Sequence, residues 1–429
     1  MPANMSTMDP LFKEDMGPVL TSQLNNDTPA MDWFEKVDGV KWQGKVHVEP
    51  IHVNRNRGSY WSAEGGAPPT AGNQVLEHLR IPVRHFHGAC RFTVQAIKAS
   101  QSDKGAFARL MRLEMDNIIS DMRVNRNFAL WGDGRGVRAL VNGTTATTTL
   151  EVDSPGGIAG ATHGTRFLNV GDNIAIVVPE TGALDEAGTF RINAVNPDGT
   201  DITLDSIPGS ETDNSFIVKA FGPDTTLDIQ DTDFQHACMG IRGIVDSGAV
   251  VNGYFGLSRA TFPILQAYVL TANSALSADL IQRAIDTVGS VGQGDVQFHA
   301  MSYDTRRALL AIMENDRRYS HEYLMKPDPG TKIAGDYKAS LTFGGKGVKC
   351  DHFAPFGEWY GIDNRSWRRA VLCEGEWADE TGAVLTQVAG AVDTYEALYR
   401  IYENYYALKP NQSFRISGIT TNVIVAQVV

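Results

Sequence analysis

Few residues in this chain have the types and the spacing that chemistry requires. Gly39-Val40-Lys41-Trp42-Gln43-Gly44-Lys45 has the glycine and lysine spacing of a phosphate-binding loop. The next residue is Val46, which has no hydroxyl for Mg²⁺, and the segment begins a predicted strand instead of joining a strand to a helix. The sequence therefore does not predict a nucleotide site here.

The histidines and the serines offer no better site. His85 and His87 could share one face of a strand and bind a metal, but no Asp, Glu or Cys at a ligand-like spacing completes the set. Cys350 and His352 form an isolated pair, and Gly256-Leu257-Ser258-Arg259-Ala260 lacks the second glycine of a nucleophile elbow. We therefore expect no catalytic residue, no metal and no cofactor.

The amino-acid composition indicates a folded protein and argues against some classes of function. The 429 residues are 42% hydrophobic and 21% charged, which is typical of a folded chain with about three domain-sized units. The net charge of −12 argues against a protein that gains affinity from phosphates. The charge-free stretch from 260 to 278 is too polar for a membrane span. Four widely spaced cysteines suit reduced thiols better than disulfides.

The elements that would position functional residues begin with a long β-hairpin. Residues 41 to 54 alternate between apolar and polar side chains, with an interruption expected at Pro50, and a second strand-like stretch runs from Val75 to about Val94. Fourteen extended residues span about 45 Å, more than the roughly 40 Å width of a domain. Part of the hairpin should therefore project and need a partner along its edges.

A long amphipathic helix is predicted next. Asp103 is the expected N-cap, and apolar residues recur at three- and four-residue steps until Leu130. The glycines at 132, 134 and 136 follow as a stop signal.

Residues 141 to 222 differ in composition from the rest of the chain. They contain eleven acidic residues against three lysines or arginines, a net charge of −8 that is two-thirds of the total. Alternating segments joined by turn pairs such as Asp198-Gly199 predict a small antiparallel β-domain. Beyond it the patterns mix: a helix from Ser277 to Val288, a strand from Val296 to Met301, a helix from Thr305 to about Asn315, and closing strands Phe414 to Ile419 and Asn422 to Val428.

This order of elements resembles a tailed-bacteriophage major capsid protein of the Hong Kong 97 fold. The segments that carry the resemblance are Gly72-Asn73-Gln74 with the strand into Phe92-Thr93-Val94, Asn125-Arg126-Asn127-Phe128-Ala129-Leu130-Trp131-Gly132-Asp133-Gly134, Gly240-Ile241-Arg242-Gly243-Ile244 with Leu257-Ser258-Arg259-Ala260-Thr261, Phe356-Gly357-Glu358-Trp359-Tyr360-Gly361-Ile362-Asp363, and Val392-Asp393-Thr394-Tyr395-Glu396-Ala397. The resemblance is spread over about four-fifths of the chain.

The resemblance implies an α+β fold with six parts. These are an N-terminal arm (residues 1–40), an extended hairpin loop (41–84), a peripheral domain with a spine helix (85–137), an inserted antiparallel β-domain (138–225), an axial domain with part of the peripheral domain (226–390), and closing strands (391–429). The minimal fold has no counterpart of the insertion, which we expect on the outer surface.

The implied function is assembly and not catalysis. The chain would form pentamers and hexamers of an icosahedral head that encloses double-stranded DNA without sequence-specific binding, in a virion assembled in the host cytoplasm. The implied partners are a separate scaffolding protein, because the arm is too short for a fused one, and a portal; a decoration protein is left open, and no membrane is involved. The lysine and asparagine of the self-crosslinking members cannot be matched. Candidate subunit-interface residues are Lys45, Arg55, Arg57, Tyr60, Trp61, Arg80, Arg84, Arg109 and Arg112.

Two alternatives remain at this point. The same fold could form the shell of an encapsulin-like cellular compartment that encloses cargo enzymes and no genome. From a different class, a β-rich hydrolase could use some of the 50 carboxylates as its acid and base, although carboxylates this scattered are usually solvated.

Overall fold

A computed structural model gives the fold. It describes residues 27–34, 39–42, 44–99, 110–143, 147–179, 181–185, 188–209, 211–222, 228–317, 341–379, 382–387 and 393–421. The helices of this part are α1 (Pro29–Phe34), α2 (Val94–Ala99), α3 (Leu110–Trp131), α4 (Ile241–Ile244), α5 (Ala278–Thr287) and α6 (Tyr303–Arg317). A π-helix, Val288–Gly292, continues α5.

The strands fall into three groups along the chain. Those before α3 are β1 (Gly39–Lys41), β2 (Val46–Asn54), β3 (Val75–Pro82) and β4 (Arg84–Thr93). The next are β5 (Val137–Val141), β6 (Thr149–Asp153), β7 (Asn173–Val177), β8 (Phe190–Val195), β9 (Asp201–Leu204) and β10 (Phe216–Lys219). The last are β11 (Gly253–Tyr254), β12 (Leu257–Ser258), β13 (Tyr268–Ser274), β14 (Phe298–Met301), β15 (Thr342–Phe343), β16 (Lys346–Cys350), β17 (Trp359–Ile362), β18 (Trp367–Trp377), β19 (Leu385–Gln387), β20 (Thr394–Ala407) and β21 (Phe414–Ile419). The α+β class predicted from the sequence is confirmed.

The predicted hairpin is formed by β2 and β3, and both strands are shorter than predicted. Residues 39–41 pair with β18 instead, and the second strand ends at Pro82, after which β4 pairs with β20. The antiparallel register of β2 and β3 runs from Val46 opposite Pro82 to Asn54 opposite Val75. The expected interruption at Pro50 is wrong, because β2 continues through this residue. Proline is tolerated there because β2 and β3 form a sheet of only two strands, so each is an outer strand with one unpaired edge.

Helix α3 ends where the glycine signals predict. Its last residue is Trp131, and the Gly132 N–H bonds back to the Ala129 carbonyl at 3.0 Å. Gly136 has a φ of +74°, and a Cβ there would lie 2.5 Å from the Asp233 carbonyl oxygen, so a side chain cannot be accommodated. The predicted N-cap Asp103 lies outside the described residues.

Strands β5 to β10 form a closed barrel in the order β10-β5-β6-β9-β8-β7. The sequence predicts a small antiparallel β-domain in this region, and each pairing within the barrel is antiparallel. Alternating apolar residues fill its interior, among them Ile174, Ile176, Ile192 and Ile202, all with no exposed surface. Closure leaves no free sheet edge on a domain of high negative charge.

A six-stranded mixed sheet follows in the order β13-β21-β17-β14-β16-β15. β13 runs parallel to β21 and β14 parallel to β16, whereas β17 is antiparallel to both of its neighbours. Helices α5 and α6 contribute Ile281, Ala284 and Leu309 to the apolar core of this sheet. Ser277 caps α5 by accepting the Leu280 N–H at 3.2 Å, as the sequence predicts.

The chain divides into two compact units. The described residues of the first are Asp27, 88–99, 110–124, 377–379, 382–387 and 393–399. Within it β19 pairs antiparallel with β20, and Arg91 Nε lies 2.6 Å from Glu396 Oε2. Gly88 packs on α3 so closely that a Cβ would lie 2.3 Å from Met122 Sδ.

The second unit is Thr28–His87, Asn125–Glu376 and Arg400–Val429. It holds the hairpin, the barrel and the six-stranded sheet, and β1 pairs in parallel with β18 within it. An apolar core joins α1, β3, the end of α3 and the closing strands, with Phe34, Trp367 and Tyr405 among its largest buried side chains.

Candidate subunit-interface site

The root of the hairpin belongs to the core of its own chain. Leu79 and Ile81, on one face of β3, have no exposed surface, because alternation places both side chains toward the core. The Arg80 N–H between them donates to the Phe255 carbonyl at 2.9 Å. The expectation that the hairpin needs a partner along its edges is therefore wrong for its root.

A polar contact fixes the other strand of the root. His47 Nε2 lies 3.2 Å from Glu49 Oε2 and 3.3 Å from the Tyr406 hydroxyl, which also reaches Glu49 at 3.5 Å. Burial and the neighbouring Glu49 carboxylate raise the pKa of Tyr406. The hydroxyl therefore stays protonated and can donate, so β2 is held on β20 by a neutral phenol.

The tip of the hairpin, residues 55–74, is closed by side-chain hydrogen bonds. Asn56 Nδ2 donates to the Gly72 carbonyl at 2.6 Å, and Asn56 Oδ1 accepts the Gly58 N–H at 2.7 Å. Side chains at two glycines would disturb this closure, because a Cβ on Gly72 would lie 2.5 Å from Asn56 Oδ1 and displace that side chain, and one on Gly58 would lie 2.9 Å from the Thr70 carbonyl. The loop is thus preorganised although it has no strand or helix.

Aromatic side chains on the tip face solvent. Trp61 is 102% exposed and Tyr60 is 56% exposed, with the Tyr60 hydroxyl donating to the Ala67 carbonyl. Arg55 and Arg57 are exposed beside them. The residue types that most often dominate protein interfaces are thus presented on a closed loop without a cover from the described part of the same chain.

Eight of the nine predicted interface residues separate into three groups. Lys45, Arg55, Arg57, Tyr60, Trp61 and Arg80 are exposed on the hairpin. Arg112 is exposed on α3, where its Nε lies 3.6 Å from Asp116 Oδ2 one turn later. Arg109 lies outside the described residues.

Arg84, the ninth predicted interface residue, is not exposed on the hairpin. It is half-buried, and its Nε atom has no hydrogen-bond partner among the described residues. Burial lowers the pKa of Arg84, with the Cys238 thiol nearby. The alternation of β3 does not continue into β4, because the extended strand is interrupted at Val83, between the two strands.

Two ionic clusters brace the body that carries the hairpin. Glu403 on β20 binds Arg126 of α3 at 2.6 Å and Arg369 of β18 at 2.7 Å. Burial alone would lower the pKa of Arg126, but the Glu403 carboxylate raises it overall. Asp246 pairs in the same way with Arg259 at 3.4 Å and Arg415 at 3.1 Å. Sequence reasoning missed these groups, because the partners of each carboxylate come from separate segments of the chain.

The barrel is attached to the body by side chains as well as by its two connections. Phe167 of the barrel region stacks with Phe128 of α3 and with Phe353, at centroid distances of 5.0 and 5.9 Å. Arg138 on β5 donates to the Phe167 carbonyl at 3.1 Å and to Asn125 Oδ1 at 3.2 Å. The acidic domain is thus a packed extension of the body.

The residues considered for chemistry remain dispersed. The rings of His85 and His87 flank Tyr402 at centroid distances of 4.5 and 5.6 Å, and burial, then His85 and Arg400, lowers the pKa of His87. Within the described ranges, no three His, Cys, Asp or Glu side chains are placed to hold a metal ion. No disulfide joins the four cysteines, all of which lie in the described ranges, and burial raises the pKa of Cys238 to about 12.

Part of the region predicted as an extended arm is ordered against the chain itself. Helix α1 buries Ala30, Met31 and Phe34 in the core. The Met31 N–H donates to Asn127 Oδ1 at 3.0 Å. The apolar residues within Pro29–Phe34 were a signal, but a single helical turn is too short for periodicity to show.

No family model matches the chain, and no curated protein matches it. Among solved structures, it is similar to the capsid asymmetric unit of cyanophage A-1(L), with 10% identity, 96% of this chain and 98% of that chain covered, and a TM-score of 0.55. It is similar to the capsid of a native GTA particle, with 9% identity, 96% of each chain covered and a TM-score of 0.50. The holo-SrpI encapsulin complex of Synechococcus elongatus PCC 7942 matches at 6% identity over 99% of each chain, with a TM-score of 0.47.

No helix in the described ranges combines the length and apolarity of a membrane span. The first two likenesses extend over almost the whole of each chain, so they concern the complete architecture and not one shared domain. They confirm the resemblance that the sequence motifs indicate: the chain has the Hong Kong 97-like capsid fold of tailed-bacteriophage major capsid proteins.

Proposed function

We propose that this chain is the major capsid protein of a tailed bacteriophage, which assembles into pentamers and hexamers of an icosahedral head around double-stranded DNA. The observation that carries the proposal is the hairpin, whose root is buried in its own core while its preorganised tip exposes Tyr60 and Trp61. The fold shared with phage capsid structures supports the same interpretation.

The exposed residues of the hairpin indicate which part of the chain contacts neighbouring subunits. An ordered aromatic loop that remains in water does not stabilise the isolated subunit, whereas a partner that buries the loop gains apolar contact. Preorganisation of the loop lowers the entropic cost of that binding. Identical subunits related by closed symmetry supply such a partner many times over. We propose Lys45, Arg55, Arg57, Tyr60, Trp61 and Arg80 as the hairpin's share of the interface, with Arg109 and Arg112 on the spine helix.

The other partners are proposed from the same assembly. The acidic barrel would stand on the outer surface and could receive a decoration protein, and a separate scaffolding protein and a portal would direct closure of the head. Assembly would take place in the host cytoplasm, and the chain would carry out no catalysis. A net charge of −12 suits a wall that confines DNA without binding each phosphate.

Electron microscopy and nuclease treatment test this function. Purified protein, expressed with its scaffolding partner, should form uniform hollow shells, and shells from infected cells should protect double-stranded DNA. Shells that enclose cargo enzymes and no genome would instead indicate an encapsulin-like compartment. A protein that stays monomeric at every concentration and hydrolyses a substrate would contradict the proposal.

A further inference from the structure

Strand β3 presents one backbone edge away from β2, and the chain covers this edge at the root of the hairpin. Opposite residues in an antiparallel pair alternate between those that exchange hydrogen bonds and those whose N–H and C=O groups point away from the partner strand. Arg80 is of the second kind, because its N–H donates to the Phe255 carbonyl and not to β2. The Pro82 carbonyl, two residues further on, accepts the Asn404 amide at 2.9 Å.

The same edge is uncovered nearer the tip. By the alternation of the ladder, the N–H and C=O groups of Leu76 and His78 point the same way as those of Arg80. Both residues are exposed, and in the described ranges no backbone group outside β2 bonds to them. Leu76 is 66% exposed and the preceding Val75 is 40% exposed, so apolar side chains flank the unpaired backbone. We call residues 76–78 the free edge.

The opposite edge of the hairpin is interrupted by a proline. Pro50 lies opposite His78 in the register, so the N–H that it lacks would have pointed outward from β2. A proline on an exposed edge opposes the addition of another strand. The free edge of β3 retains both of its outward donors and is therefore the better template.

A strand predicted from the sequence suits this edge. Residues Asn422 to Val428, predicted as a closing strand, lie outside the described residues. The range 422–429 contains six apolar residues and no charge, and its valines and isoleucine are typical strand formers. The described chain leads into this range at Thr421, whose hydroxyl donates to Asp304. Eight extended residues span about 26 Å.

We propose that the strand Asn422 to Val428 of one subunit pairs with the free edge of β3 in a second copy. The proposal rests on the shell function above and adds a backbone contact to the exposed side chains of the hairpin. A second copy is the occupant because the free edge continues into the tip, where Tyr60 and Trp61 belong to the candidate subunit-interface site. Main-chain hydrogen bonds give such an added strand its affinity, and its uncharged side chains complement Val75 and Leu76.

Proline substitutions on the two edges test this pairing. His78→Pro removes an outward N–H from the free edge and none of the bonds between β2 and β3, so the unassembled subunit should unfold at the native denaturant concentration. It should raise the critical assembly concentration, measured by sedimentation, at least about tenfold. His52→Pro is the matched control. It makes the same change on the outer edge of β2, opposite Leu76, and should keep the critical concentration within about twofold of the native value.

Truncation after Thr421 tests the other side of the contact. It changes no residue of the hairpin, so it applies even where the proline disturbs β3. The truncated chain should assemble as poorly as His78→Pro, and the two changes combined should be no worse than either alone, because both remove one contact.

Three results would overturn the pairing. These are normal assembly of His78→Pro or of the truncated chain, additive losses in the combined variant, and a truncated subunit that unfolds early before assembly, which would place the segment in its own fold. Shells formed by the native chain would leave the shell function intact in each case, whereas a native chain that forms no shell contradicts that function.

Discussion

Asn127 Nδ2 donates a 2.9 Å hydrogen bond to Asp351 Oδ2, a residue 224 positions further along the chain. The same Asp351 oxygen accepts the Ala30 N–H at 3.0 Å, and Asn127 Oδ1 accepts the Met31 N–H at 3.0 Å. Both side chains are buried. The pair therefore fastens α1, α3 and the turn after β16 at a single point.

Asn127→Ala should destabilise the unassembled subunit by about 2–4 kcal/mol, because it leaves the buried Met31 N–H unsatisfied and removes a donor from Asp351. Denaturant unfolding measures this loss. Asn169→Ala, at an exposed asparagine, is the control and should change stability by less than about 0.5 kcal/mol. Equal effects of the two variants would show that the buried pair is not what holds α1.

Much of this architecture follows from local patterns in the sequence. The hairpin, the C-terminal end of the spine helix, helix α5 and strand β21 form where alternation, glycines and caps predict them. The Asn127 pair could not be predicted, because hydrogen bonds across 224 positions leave no local period. The same reason hides Glu403, whose two arginine partners come from distant segments.

The candidate subunit-interface site could be predicted from the sequence only in part. Exposure of Arg55, Arg57 and Trp61 follows from their place in the loop between the two predicted strands, although the strands β2 and β3 are shorter than the sequence predicts. The burial of Arg84 could not be predicted, because it depends on an interruption of the strand at Val83 that the alternation of residues does not reveal.

Glu403→Gln should destabilise the subunit by about 3–5 kcal/mol, because it removes the negative charge that two buried guanidinium groups share. Glu376→Gln is the matched control. Its carboxylate pairs with Arg400 at the surface and is 54% exposed, so we expect about 0–1 kcal/mol. Thermal unfolding measures the stability of both variants. If Glu403→Gln loses no more stability than the control, Glu403 does not brace the subunit.

Stability should fall with acidification because of His299. Burial lowers the pKa of His299 to about 4, and its Nδ1 accepts the Trp359 indole N–H at 3.1 Å. The unfolded chain binds a proton near pH 6.5, so this contribution is fully present above about pH 6.5 and is lost as the pH falls to about 4. The change is about 3 kcal/mol.

Replacement of the histidine tests that sign. His299→Gln should flatten the pH dependence of the unfolding free energy between about pH 6.5 and 4, whatever its effect at neutral pH. His163→Gln, at a histidine in the barrel that is outside the core, should retain the native slope. The same slope in His299→Gln as in the native chain would mean that another group titrates.

The tip and the root of the hairpin should respond differently to truncation. Trp61→Ala should leave the stability of the unassembled subunit within about 0.5 kcal/mol of the native value but weaken assembly by about 2 kcal/mol or more per contact. Leu79→Ala, with no exposed surface, should cost the fold itself about 2–5 kcal/mol. Unfolding and critical assembly concentration are measured for both, and a Trp61→Ala subunit that unfolds early would assign the tip to the fold.

The most direct measurement is a cryo-electron microscopy reconstruction of the assembled particle, with the position of Trp61 traced from its own root at Leu79. The account predicts an icosahedral shell in which the indole is buried against another copy of the chain. A particle of one subunit, or a shell in which Trp61 remains in solvent or lies against its own body, would contradict it.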